Sequence, residues 1–347
     1  MMSSLTPSVL QLHPSRACNL RCLHCYSSSS PTEREEQDVS LLARAIGDAA
    51  ELGYRVVSIS GGEPLLYSEL PSLLSETRRR GMQTTITTNG MLLDDRRLQL
   101  LMGKVDLLAI SLDGRPERHN HMRSSSRAFE TMYRRLEALR DSGIPFGFLF
   151  TLTHENVDDL TWAAAFAADE GARLLQVHPM EEAGRARSAL PSRAPTDVDA
   201  AVAWLLVHRL SERYTGRLII HLDFLNRDAL RGIELQLNAQ KAATCSGLKA
   251  RRLADFVSPL VIESDGSVVP LQYGFPREYA LGNLNDMAIN EMADVWFREA
   301  RLNWQALCAR TTSSLCQPAE LPFINWYEFM IAIARASHPE PFAVLNS

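Results

Sequence analysis

Arg55-Val-Val-Ser-Ile-Ser60, followed by Gly61-Gly62-Glu63-Pro64, then Glu69 to Arg80, then Gly81, then Gln83-Thr-Thr-Ile-Thr-Thr88, carries the fold decision. The two β-branched runs read as strands. Between them the apolar residues recur at helical spacing, and Gly81 stands just past the helix, where glycine accepts positive φ without penalty. Strand, helix and strand in succession make a parallel βαβ unit.

The same period continues on both sides. Further strands are expected at Val9–His13, Val105–Leu112, Ile144–Thr153 and Arg173–His178. Helices are expected at Ser40–Leu52, Asp94–Met102, Arg127–Ser142 and Val157–Glu170, with Ser40 and Asp94 as N-caps. Gly53, Gly143 and Gly171 repeat the helix-end signal. Six such units predict an α/β fold, a partial (β/α)6 TIM-type barrel over residues 1–190. Barrel active sites lie at the C-terminal ends of the strands. That rule selects residues 14–26, 61–64, 88–90, 111–114, 153–156 and 178–184.

The texture then changes. Arg185 to Asp199, rich in Ser, Pro, Ala and Arg, reads as a linker. A helix at Asp197–Arg213, a strand at Leu218–Leu222 and a helix at Asp228–Gln240 are expected to bridge residues 191–243 to a C-terminal α+β region, 244–347. That region holds a hairpin at Ser258–Pro270, turned at Ser264-Asp265-Gly266, and an apolar helix at Ile324–Ala336.

With 347 residues the chain has room for about two domains and a core that needs no disulfides. Its 36 basic and 41 acidic residues leave a net charge of −5, which argues against nucleic acid bound through bulk charge. No apolar run approaches a membrane span, and Met1 to Gln11 lacks the pattern of a secretory signal. A cytoplasmic protein is expected. Three of the six cysteines, Cys18, Cys22 and Cys25, cluster too tightly for a secreted disulfide framework.

Cys18-Asn-Leu-Arg-Cys22-Leu-His-Cys25 sets three thiolates in the loop after the first strand. They can converge on one inorganic centre, one ligand short of the four that saturate a [4Fe–4S] cluster. An unsaturated iron is a place for substrate, as at open catalytic metal sites. Two other readings stay open: a structural zinc site completed by His24 or His13, and a non-catalytic iron–sulfur scaffold or electron carrier.

The Cys-x3-Cys-x2-Cys spacing resembles the signature of radical S-adenosylmethionine (SAM) enzymes. Further segments fit that family at successive strand ends: Gly61-Gly62-Glu63-Pro64, Thr88-Asn89-Gly90, and Ser111-Leu112-Asp113-Gly114 with His119 and Arg123 beyond. The resemblance covers about residues 9–180. It implies that Cys18, Cys22 and Cys25 hold one [4Fe–4S] cluster and that SAM chelates the open iron. It implies that Gly61 and Gly62 let backbone approach SAM, and that their carbonyls and the Glu63 carboxylate accept from its amino group, on a turn stiffened by Pro64. Ser111 would reach the ribose or carboxylate, Arg123 would pair the carboxylate, and His24 would lie by the adenine or cluster. Asn89 and Asp113 are further candidates. The implied chemistry is one-electron cleavage of SAM to methionine and a 5′-deoxyadenosyl radical that takes hydrogen from the substrate. A one-electron donor such as flavodoxin or ferredoxin is implied with it.

Cys245-Ser-Gly247, the Asp265–Pro270 hairpin and Leu281-Gly282-Asn283-Leu284 resemble the SPASM extension of this superfamily, in which extra cysteines hold auxiliary clusters. Here the pattern is degenerate. Leu271 stands where a cluster cysteine is usual, and Thr311 stands between Cys308 and Cys316 where the run Cys-x2-Cys-x5-Cys has another. The expectation is a SPASM-like lid or substrate platform without auxiliary clusters; the alternative is one cluster on the three remaining thiols. Many such relatives modify peptides, so a peptide or a small-molecule substrate is expected, with epimerisation, dehydrogenation or bond formation as outcomes. Cys245, Tyr26 and Tyr273 are candidate hydrogen donors.

Overall fold

The computed structural model describes residues 7–227, 252–317 and 323–337. The expected helix at Asp228–Gln240 and Cys245 lie outside the described residues. Strands β1 (Val9–Leu12), β2 (Val56–Ile59), β3 (Gln83–Thr88), β4 (Leu107–Leu112), β5 (Phe146–Leu152) and β6 (Leu174–Pro179) lie side by side in chain order, each parallel to the next. On the face turned away from the cavity, Leu12, Ile59, Ile86, Ile110, Phe150 and Val177 are fully buried in the core shared with the helices. The helices between them begin with α1 (Val39–Glu51), α2 (Leu70–Arg79) and α3 (Asp95–Leu101). Asp94 caps α3 by accepting from Arg97 N–H, as expected. The cap of α1 is Asp38 rather than Ser40: its carboxylate accepts from the Ser40 amide at 2.7 Å, which places Ser40 inside the first turn.

The segment Arg127–Ser142 departs from expectation. An unforeseen helix, α4 (Pro116–Met122), precedes it, and the segment itself forms two helices, α5 (Ala128–Tyr133) and α6 (Leu136–Ser142). Arg135 N–H reaches back three residues to Met132 at 2.9 Å, and this tight turn breaks the helix. Next come α7 (Leu160–Asp169), α8 (Ala186–Ala189) and α9 (Asp197–Arg213). Thr196 and Asp199 close a reciprocal capping box at the start of α9. The expected linker therefore holds a short helix and an ordered cap.

The sheet extends beyond six strands on both sides. β7 (Ile219–Leu222) adds parallel to β6. A two-residue strand, β8 (Leu225–Asn226), pairs instead with β12 (Phe323–Ile324). The expected hairpin is present as β9 (Leu260–Ile262) and β10 (Ser267–Pro270), and β9 pairs parallel to β1. With β11 (Gly282–Asn283) the order is β11-β10-β9-β1-β2-β3-β4-β5-β6-β7, an open sheet of ten strands. Three helices complete the described chain: α10 (Ile289–Glu299), α11 (Arg301–Leu315) and α12 (Trp326–Ser337). Among the described residues no helix is long and apolar enough to cross a membrane.

Candidate active site

The loop between β1 and α1 carries the three cysteines. Cys18 and Cys22 are buried and Cys25 is half-buried, all as free thiols. Burial raises the Cys18 thiol to about 12. Burial also raises Cys22, against the opposing pull of the Arg123 guanidinium. The loop is held from three directions. Gly62 N–H donates to Ser15 C=O at 2.8 Å and Glu63 N–H to Ala17 C=O at 2.9 Å. Asn89 Nδ2 donates to Asn19 Oδ1 at 2.8 Å. Arg185, from the expected linker, donates to the carbonyls of Cys22 at 2.7 Å, Ser28 at 3.0 Å and Ser29 at 2.7 Å. Beside it, a Cβ on Gly184 would lie 2.1 Å from the Tyr26 carbonyl. Sequence reasoning missed Arg185, because its partners are backbone carbonyls about 160 residues away in the chain.

The glycine pair has a different use from the one expected. A Cβ at Gly62 would sit 2.1 Å from Ala17 O, and one at Gly61 would sit 2.7 Å from Ser15 O. Both glycines therefore let the end of β2 press against the cysteine loop. They also line the cavity described below. Glu63 does not line it: its buried carboxylate accepts from Leu65 N–H, Thr88 Oγ1 and Asn89 N–H, tying the ends of β2 and β3 together. Pro64 begins a single 3₁₀ turn and stays off the cavity wall.

Arg123 was expected to offer its fork to a carboxylate of SAM. That fork is occupied: Nε and Nη2 donate to Asp113 at 2.6 and 3.1 Å, while Nη1 points at Cys22 Sγ, 3.6 Å away. Asp113 is wholly buried and does not line the cavity. Its desolvation is outweighed by Arg123 and His24, so its carboxyl is held well below the usual range. His24 Nε2 lies 3.2 Å from Asp113 Oδ1. His119 accepts from the Asp113 amide, and burial lowers its pKa to about 4, so its ring is neutral at physiological pH.

The site opens on one cavity of about 1360 Å³. Cys18, Cys22, Cys25, His24, Asn89, Ser111 and Arg123 form one side. Tyr26, Leu271, Gln272 and Tyr273 form another, so the C-terminal strands supply part of the wall. The Tyr26 and Tyr273 rings meet at 5.6 Å between centroids, tilted by 58°. Their hydroxyls pair with Ser60 and Ser264, each at 3.2 Å. A further side, absent from the sequence candidates, holds Gln176, His178, Glu181, His221, Asp223 and Tyr327. The strand-end rule had marked residues 178–184, which is the signal that could have found His178 and Glu181.

Cys308 is half-buried on α11 and Cys316 follows the same helix at its C-cap, where its N–H still bonds four residues back. Eight residues of helix separate them by about 12 Å along the axis. Cys245, the third thiol of the alternative auxiliary cluster, lies outside the described residues.

Residues 12–167 match the model described as the radical SAM superfamily. The chain carries a radical SAM domain. A Fe-coproporphyrin III synthase of Methanosarcina barkeri is 36% identical over 42% of this chain and 37% of its own. A PqqA peptide cyclase of Granulibacter bethesdensis is 26% identical over 82% of this chain and 75% of its own. The chain thus spans little more than a third of the first relative. The crystal structure of Streptococcus suis SuiB bound to S-adenosylmethionine superposes with a TM-score of 0.64, at 16% identity, over 85% of this chain and 66% of that one. This likeness is one of fold: a radical SAM partial barrel.

The cofactors of the radical SAM family are a [4Fe–4S] cluster and SAM. The residues present fit them. Three soft thiols open into one cavity beside a buried guanidinium, and soft ligands of this kind suit iron–sulfur centres. Among the described residues no three His, Cys, Asp or Glu side chains gather closely enough to hold a single metal ion.

Proposed function

We propose that this chain is a radical SAM enzyme that abstracts hydrogen from a peptide-class substrate, with Cys18, Cys22 and Cys25 as cluster ligands. The observation that carries the reading is the opening of all three thiols into one cavity that Gly61, Gly62, Ser111 and Arg123 also line. When bound, the cluster and SAM supply reductive cleavage of the carbon–sulfur bond and a hydrogen-abstracting centre. The chain supplies placement. Arg185 and Asn89 hold the cysteine loop, and the carbonyls of Gly61 and Gly62 are acceptors for an amino group. Ser111 offers a hydroxyl and His24 a ring face. Arg123, anchored on Asp113, holds a fixed positive charge at Cys22 and so favours the thiolate there. The C-terminal region, 244–347, is read as a SPASM-like platform that closes the cavity with Leu271, Gln272 and Tyr273 and excludes water.

The peptide class is favoured over a tetrapyrrole by coverage. The peptide cyclase aligns across 82% of this chain, whereas the synthase aligns across 42%. The test is anaerobic reconstitution with iron and sulfide, then reduction with dithionite in the presence of SAM. Formation of 5′-deoxyadenosine and methionine is expected, and Cys22→Ala is expected to abolish it. A brown protein that binds iron and sulfide but leaves SAM intact would replace this reading with that of an iron–sulfur scaffold.

A further inference from the structure

The wall formed by β6, β7 and α12 has no part in the chemistry above. On it, Asp223 is saturated: Gln176 Nε2 and His178 Nδ1 meet Oδ2 at 2.8 and 2.9 Å, and His221 Nδ1 meets Oδ1 at 2.9 Å. His178 Nε2 in turn faces Glu181 Oε1 at 3.2 Å. The second oxygen, Glu181 Oε2, is buried and has no hydrogen-bond partner among the described residues. An ionised carboxylate only accepts, so this oxygen requires a donor that the described protein does not provide. Gln272 Oε1, on the same cavity, is a second buried acceptor without a partner.

The surroundings specify the donor's charge. Asp223, across His178, and Glu328 of α12 add carboxylates near Glu181, while the cationic groups around them are already engaged: His178 by Asp223 and Glu181, His221 by Asp223, and Arg335 by Glu328. Tyr26 and Tyr327 present rings on the same cavity, and aromatic faces favour cations. A buried carboxylate oxygen flanked by aromatic rings is the chemistry that recognises an ammonium or guanidinium.

We propose that Glu181 seats a cationic nitrogen of the substrate, held in place by the His178–Asp223 pair beneath it. This deepens the reading above by naming a recognition group, and it rests on that reading only in taking the bound molecule as substrate. The nitrogen could arrive on a peptide side chain or on a small amine, and the probes separate the two.

The experiment is equilibrium dialysis of the reconstituted, SAM-loaded full chain. Benzylammonium is compared with benzyl alcohol, and N-acetyl-Gly-Lys-Gly amide with the same peptide bearing norleucine. Retention of at least one cationic probe about tenfold above its neutral partner is expected. Glu181→Gln is expected to remove that preference while Glu182→Gln, at the exposed neighbour, keeps it. The probe pair with the larger preference shows which source the site accepts. Equal retention of cationic and neutral probes, or a preference unchanged in Glu181→Gln, overturns the proposal. Iron content confirms that each variant has built its cavity. SAM cleavage by dithionite in the same samples is scored separately, so failure of the radical reading and failure of the cation seat are distinguished.

Discussion

Two single residues govern whether the cysteine loop keeps its shape. Arg185 ties three of its carbonyls from outside the barrel motifs, and Gly62 supplies the space into which it packs. Hydrogen bonds from a charged donor contribute about 1.5–3 kcal/mol each, and of the three carbonyls only that of Cys22 also accepts from another backbone amide, Cys25 N–H at 3.4 Å. Arg185→Ala is expected to lower stability by about 2–4 kcal/mol and to cut reconstituted iron to less than half of the wild-type level. Arg185→Lys, with one point donor in place of a fork, should recover only part of the iron. Gly62→Ala should be worse than either, since the clash is with backbone at Ala17 and no side chain can yield. Iron assay after reconstitution, beside thermal unfolding, checks all three; full iron loading in Arg185→Ala would show that the clamp is dispensable. At this scale the sequence was most legible where the partners are neighbours. Cys18, Cys22 and Cys25 announce one another by spacing. The engagement of Arg123 by Asp113 does not follow from spacing alone, because Arg123 has two candidate carboxylates, one on the chain and one on a ligand. Glu63 shows the same limit: in Gly-Gly-Glu-Pro its carboxylate looks free, yet it accepts from three donors of its own turn and the end of β3.

Elements were legible where period and end signals agree. All six core strands and the capped start of α3 lie where the alternation of β-branched runs and Gly-terminated helices places them. The break between α5 and α6 and the start of α1 were not, because a reversion to three-residue hydrogen bonding and the choice between Asp38 and Ser40 turn on backbone geometry rather than composition. The C-terminal cysteines illustrate what an element adds. As letters, Cys308 and Cys316 are compatible with a shared cluster; as two positions on α11 and its cap they are more than two turns apart. Burial raises Cys308 to about 11, which is the state of an inert, protonated thiol at neutral pH. The double variant Cys308→Ser with Cys316→Ser is therefore expected to hold the same iron as the wild type, about four per chain. A drop of the variant below the wild type by about four irons would show that an auxiliary cluster uses these thiols.

The whole molecule decides what closes the cavity, and here the sequence was least legible. β9 pairs with β1 across some 250 positions, and α12 reaches the wall at β6 and β7 from the far end of the chain. No local signal encodes such adjacency. The consequence is a seam whose stability depends on pH in a direction that can be worked out. His178 is penalised by desolvation, but Asp223 and Glu181 outweigh this and raise its pKa from 6.5 to about 10. His221 is raised by Asp223 as well, and the Tyr327 ring lies 6.4 Å from that of His178. A cation whose pKa is raised on folding contributes its full stabilisation below the unfolded value. That contribution shrinks from pH 6.5 upward and is gone once pH passes about 10. Asp223, held below its ordinary value despite burial by His178 and His221, contributes in the opposite window: fully above pH 3.8 and lost only in stronger acid. Between pH 4 and 6.5 both terms are present. Asp223→Asn removes the partner that holds both histidines. The stability gap between wild type and Asp223→Asn should be on the order of 3 kcal/mol from pH 5 to 6.5 and should narrow steadily toward pH 10. Urea unfolding at stepped pH measures it. A gap that stays constant across that range would mean His178 is not the cation that joins β6 to β7.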